Sequence, residues 1–285
     1  MGFGSMLSLN VSQTPTALGY WLLMNYNNHL NELNIGSCVF KITPQKVHEV
    51  LGIPMGKIPV LGKNRPRLGE DVTTDLFKNQ FPTGARISVK NVKDKLKADK
   101  GVGELFKINF LVLVNTCIGF VTKSTTFNQR FIAAIDQTSD IPNMDWCSYV
   151  IENLMTTKEE WRGIDDQYTG PITFLVMLYT HEYQKKYGPF GTPVTTPAVN
   201  YITTSTLNKM EKYLENNGVP LEEDAAAVTC GHDGKGIDAA AAVTVSAGGN
   251  GLDETADAAV ADTAAVTVSA AEEKQEHGIK LVIFV

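Results

Sequence analysis

FKITPQKVHEVLGIPMG, residues 40–56, is the stretch whose local chemistry decides the fold class. Thr43 before Pro44 reads as a helix N-cap followed by a first-turn proline, where the missing N–H has no partner to lose. Val47, Val50 and Leu51 then fall on one helical face, and Gly52 supplies a stop. The same helical spacing recurs on both sides of this stretch.

Upstream, Leu18, Trp21, Leu22, Tyr26, Leu30 and Leu33 follow three- and four-residue steps and predict an amphipathic helix after Thr16. Downstream, MGKIPVLGKNRPRLG, residues 55–69, reads as a loop or small hairpin because of its glycines and prolines. Ser88 is expected to cap a helix through Lys100, with Val89, Val92 and Leu96 inward and Lys90, Lys93, Lys97 and Lys100 on its solvent side. Gly101-Val102-Gly103 marks a turn, and residues 106–121 are apolar on nearly all faces, as for a central helix. Further helices are expected at 126–135, 143–162, 171–187 and 205–217, with short strands at 38–42 and 57–60. The fold class is therefore mainly α: a single multi-helix domain with one or two very short strands or a hairpin, followed by a disordered tail.

The domain, residues 1–220, gives way near Leu221 to a low-complexity tail, 221–285, of Ala, Val, Thr, Gly and Asp. VTVSA occurs at 243–247 and again at 266–270, each time after an alanine-rich run. Side chains this small cannot build the apolar face of a solenoid repeat, so the tail is expected to be disordered, with transient helix over the alanines. The terminal IKLVIFV is β-prone.

Charge divides at the same boundary. The 285 residues sum to −6, but 221–285 carry 12 acidic and three basic residues. The body is +3, and within it residues 41–107 hold 14 basic and seven acidic groups. Lys63, Arg65 and Arg67 in the Gly/Pro loop, with Lys90, Lys93 and Lys97, are the candidate nucleic-acid or partner contacts.

Composition excludes collagen-like, disulfide-dense and wholly disordered chains. The N-terminal MGFGSMLSL lacks the charged start and apolar run of a secretory signal, and Met6 stands where a myristoylation signal wants Ser or Thr. The longest apolar run, 108–121, is interrupted by Asn115 and is shorter than the roughly 20 residues of a membrane span. With four cysteines and no CxxC pair, the expectation is an intracellular, reducing compartment and no metal.

Catalytic chemistry is sparse. His181-Glu182 begins like a zinc HExxH, but Lys185 replaces the second histidine, and His181 reads as an ordinary helical surface residue. Cys147 lies one turn into a helix capped by Asn143 or Asp145, a place that can lower a thiol pKa, yet Trp146 and Tyr149 beside it argue for core. Glu159-Glu160 and Asp165-Asp166 read as solvated acids, and neither a GxxxxGK[ST] nor a GxGxxG phosphate loop is present. The chain is expected not to be an enzyme and to need no cofactor.

Residues 40–56, with ELFKINFLVLVNTCIGF, IPNMDWCSYVIENLM and YTGPITFLVMLY in that order, resemble the aminotransferase-like plant mobile domain. They resemble equally the helical domain that precedes the peptidase in plant SUMO-type proteases of ubiquitin-like modifiers. The similarity spans about 36–190. It implies a nuclear, transposon-derived helical domain that binds a protein partner. No pyridoxal-phosphate lysine is identifiable, and the protease triad would lie in a separate peptidase domain, replaced here by the tail. Cys230-Gly231 lacks the upstream His-Trp of such proteases. The alternatives are a partial modifier protease lacking its peptidase, or a weak non-specific nucleic-acid binder through 41–107.

Overall fold

The computed structural model describes residues 1–36, 38–60, 72–119, 129–135, 137–188 and 193–217, together with the strand segments 266–272 and 275–281. Among these the protein is mainly α with a few short strands. The helices are α1 (Thr16–Met24), α2 (Pro44–Leu51), α3 (Val72–Lys78), α4 (Val89–Ala98), α5 (Glu104–Ile118), α6 (Trp146–Glu160), α7 (Ile172–Tyr187) and α8 (Thr204–Asn217). None is long and apolar enough to cross a membrane.

Helix α2 forms as its sequence dictates. The Thr43 side chain accepts from the Lys46 N–H at 3.3 Å, and Gly52 closes the helix at φ 63°. Val47, Val50 and Leu51 are fully buried. They pack α2 against both α6 and α7. Just beyond, the Gly56 N–H donates to the Met144 carbonyl, and a Cβ at Gly56 would run into the Asn143 carbonyl. That close approach lets β4 (Ile58–Pro59) pair in parallel with β5 (Met144–Asp145) at the start of α6.

Helices α5 and α7 form the centre. From Ile108 to Asn115 every residue of α5 is buried, and α7 buries all of Phe174–His181. Two asparagines inside α5 are satisfied by neighbours. The Tyr149 hydroxyl donates to Asn115 Oδ1 at 2.9 Å, and Asn109 exchanges hydrogen bonds with the Gln80 amide at 2.8 and 3.2 Å. Helix α4 lies on α5, and α8 on α7.

The first helix is shorter than its apolar spacing predicts. It stops at Met24, and the remaining stretch becomes an antiparallel meander of β1 (Tyr26–Asn27), β2 (Glu32–Ile35) and β3 (Cys38–Lys41). Tyr26 faces Leu33 in the register, Leu33 faces Phe40, and Ile35 faces Cys38. Asparagine side chains redirect the chain. Asn27 Oδ1 accepts from the His29 and Leu30 N–H groups, and Asn31 takes φ 55°. Such local side-chain bonds compete with helix propagation.

Two other expectations change. Helix α3 was not foreseen between the Gly/Pro loop and Ser88. The helix expected at 126–135 is, over its described part, a 3-10 turn at Gln129–Ala134. In the tail the structure describes one antiparallel hairpin, β6 (Val266–Glu272) with β7 (Gln275–Leu281), pairing Val266 with Leu281 and Val268 with Ile279. The alanine runs expected to be transiently helical lie outside the described residues.

Candidate functional site

The lysine face of α4 rests on a well-anchored helix. The Ser88 side chain accepts from the Asn91 N–H while Asn91 Oδ1 accepts from the Ser88 N–H, a complete capping box. Val92 and Leu96 hold the opposite face in the core. Lys90 and Lys97 are exposed, as expected. Lys93 is not: only 7% of it is accessible, which corrects its assignment to the solvent side. At 100° per residue, Lys93 lies about 40° from Val89, on the margin of the buried stripe. Burial lowers the Lys93 pKa, Lys97 pushes it the same way, and Asp94 opposes. Lys63, Arg65 and Arg67 lie outside the described residues.

Cys147 is a core thiol. Asp145 caps α6 as expected, its carboxylate accepting from the Ser148 N–H at 3.0 Å. The helix start nevertheless fails to activate the sulfur. Burial, reinforced by the Asp145 charge, pushes the Cys147 pKa up to about 12. Its Sγ lies 3.6 Å from the Ile53 and Pro54 carbonyls, both of which can accept the thiol proton. Cys117 is likewise raised, to about 11, chiefly by burial. Cys230 lies outside the described residues.

The densest polar cluster joins α2 to α7. Lys46 Nζ stands 2.7 Å from Glu182 Oε1, an ionic contact without hydrogen-bond alignment. Lys185 Nζ lies 3.7 Å from the same Glu182 oxygen and 4.0 Å from Glu49 Oε2. Beneath them sits His181, expected on the helix surface but only 1% exposed. It occupies the inward face of α7 because that helix is covered on nearly every side. Its Nδ1 is 2.8 Å from the Tyr201 hydroxyl, whereas Nε2 is buried and has no hydrogen-bond partner among the described residues. Burial lowers the His181 pKa; Glu182 and Glu49 oppose this, and Lys185 and Lys46 add to it. The imidazole is therefore neutral at neutral pH.

One donor atom each from Glu49, His181 and Glu182 lies within 4.8 Å of the other two. The HExxH pattern breaks at Lys185, the residue standing where the motif has its second histidine. Glu49 is no part of that pattern and reaches the cluster only because α2 packs on α7. The sequence signal available was local: Lys46 and Glu49 share the polar side of α2.

A family model described as Domain of unknown function (DUF8566) matches residues 1–176. The chain belongs to this family. No curated protein and no solved structure matches it. The DUF8566 segment contains the whole α4 lysine face, the Cys147 core and the α2 half of the polar cluster. It ends within α7, so His181, Glu182, Lys185 and Tyr201 follow it in sequence.

Proposed function

We propose that this chain is a non-catalytic helical interaction domain that offers the α4 lysine face to an acidic protein partner. The observation that carries this reading is the pair Lys90 and Lys97, exposed on a capped helix and without an ion-pair partner among the described residues. Unneutralised cations on a rigid face favour association with an opposite charge. The inert character of Cys147 agrees with a binding role rather than a thiol hydrolase. The resemblance of residues 36–190 to the plant mobile domain supports a nuclear, transposon-derived protein, and the related proteases keep a truncated modifier protease as the competing reading.

Affinity capture from plant nuclear extract with the full chain tests it. Proteins retained by the wild type and released by Lys90→Glu/Lys97→Glu are the expected result. An identical set on both proteins overturns the assignment. Turnover of a modifier-conjugated substrate, lost on Cys147→Ala, would favour the protease instead.

A second reading is non-specific nucleic-acid binding through the same face. It is favoured by the exposure of Lys90 and Lys97 on one capped helix, seven residues apart and so on the same face, where phosphates could meet both. Binding to duplex DNA at low salt that weakens with rising salt and on charge reversal would support it.

A further inference from the structure

We propose that Glu49, His181 and Glu182 form a binding site for a divalent transition-metal ion, zinc by the chemistry of the donors, at the junction of α2 and α7. This goes beyond the interaction-domain reading and does not depend on it.

Three observations converge. The donors are an imidazole and two carboxylates, a set that suits zinc, and one atom from each already lies within 4.8 Å of the others. A tetrahedral ion with bonds of about 2.0 Å spaces its ligands about 3.3 Å apart. The carboxylates therefore close in by about 1.5 Å at most, a movement within reach of glutamate side-chain rotation.

The second observation is His181 itself. It is almost wholly buried, yet Nε2 has no hydrogen-bond partner among the described residues. Buried polar atoms are normally paired, so an unpartnered nitrogen on an imidazole that stands beside two carboxylates points to a ligand of specific chemistry. The third is Tyr201. A metal-bound histidine is held through its other ring nitrogen, and the Tyr201 hydroxyl at 2.8 Å from Nδ1 fills that place. With Nδ1–H donating to the tyrosine oxygen, the lone pair falls on Nε2, the ligating form.

Lys46 and Lys185 stand against the same carboxylates that would hold the ion. Two carboxylates carry a charge of −2, which either two ammonium groups or one divalent cation neutralises. The Lys185 side chain is 45% exposed and its contacts are 3.7 and 4.0 Å, so it can leave for solvent. Lysine thus competes with the metal for the same oxygens, and the site is tuned weaker than one with a second histidine at position 185. Three protein donors leave a fourth position for water.

The test is calorimetric titration of the chelator-treated full chain with Zn²⁺, repeated with Co²⁺ while recording its visible absorption. One ion per chain is expected at this site, with a cobalt spectrum of nitrogen and oxygen ligation. Glu49→Gln removes a ligand charge and Tyr201→Phe the positioning hydroxyl; each is expected to weaken Zn²⁺ by about tenfold or more. Lys185→Met removes the competitor and is expected to tighten binding, which a merely structural role would not do. Circular dichroism checks that each variant is folded, and Lys185→Met, altering the most exposed member, decides the matter if another fails. The proposal is overturned if the wild type takes up no Zn²⁺, or if Lys185→Met leaves its affinity unchanged. A cobalt–thiolate absorption band that survives Glu49→Gln also overturns it, since the ion would then sit on a cysteine such as Cys230.

Discussion

Lys46 Nζ stands 2.7 Å from Glu182 Oε1, tying the short α2 to the central α7 within the polar cluster between them. The Glu182 side chain is only 13% exposed, so removing its nearest cation leaves a poorly hydrated carboxylate. Lys46→Met is therefore expected to lower folding stability by about 1–2 kcal/mol, discounted for the partial exposure of the lysine. Lys185→Met, at longer range and closer to solvent, should cost about 0.5 kcal/mol or less. Urea unfolding of both variants without metal checks the ranking. Equal losses would show that the 2.7 Å contact is not the one that matters.

Alkali should unfold this protein early. Burial raises Cys147 from 9.0, and Tyr149 and Tyr201 from 10.0, in each case to about 12. These are acids that keep their protons when folded and lose them when unfolded. Above the unfolded pKa the native state binds more protons, so stability falls as pH rises, from about 9 toward 12. More than about one pH unit below 9 these groups contribute almost no slope. Each can add up to about 1.4 kcal/mol per pH unit while it titrates in the unfolded chain alone. Urea midpoints measured from pH 8 to 11 check this, and a flat profile would refute it. Iodoacetamide should correspondingly label Cys147 only after unfolding.

Local chemistry explains which parts of the fold were legible. Thr43, Pro44 and Gly52 bound α2 by backbone rules that act within a single turn, and Ser88 with Asn91 does the same for α4. Beyond Met24 the spacing misleads, because Leu30 and Leu33 keep helical steps while Asn27 and Asn31 bend the backbone. Apolar periodicity reports burial, and in the meander Tyr26 and Leu33 are buried as strand partners. The charge of Lys93 points to solvent, but its angle on the helix puts it beside Val89, and it is buried. The polar cluster was legible only in half. His181 and Glu182 are adjacent, but Glu49 arrives from 132 residues before His181, by helix packing that no local pattern encodes.

Thr180 offers a gain in stability. Its hydroxyl is buried in α7 and finds no hydrogen-bond partner among the described residues. An unpaired buried hydroxyl costs about 1–3 kcal/mol relative to its hydration in the unfolded chain. Valine has nearly the same shape and no such cost, against a slightly lower helix propensity. Thr180→Val is expected to raise stability by about 1 kcal/mol, read as a higher melting temperature. A loss instead would mean that the hydroxyl is satisfied in solution, for example by a water molecule.

The two ends of α2 should respond unequally to alanine. Thr43→Ala removes one cap hydrogen bond, the 3.3 Å contact to the Lys46 N–H, and should cost about 1 kcal/mol. Gly52→Ala asks for more. At φ 63° a side chain carries a left-handed penalty of about 1–2 kcal/mol. A Cβ there would also lie 2.7 Å from Pro197 Cγ and collide with the Ser5 side chain. Pro197 precedes the 3-10 turn Ala198–Asn200, which leads to Tyr201, so pushing it away disturbs the residue that holds His181. Gly52→Ala should therefore lose about 2–4 kcal/mol and, where Zn²⁺ binds, weaken it as well. Thr43→Ala should leave Zn²⁺ affinity nearly unchanged. Chemical denaturation and Zn²⁺ titration of both variants separate a local helix stop from a joint shared with the polar cluster. An equal, cap-sized loss in both would leave Gly52 as a helix stop and nothing more.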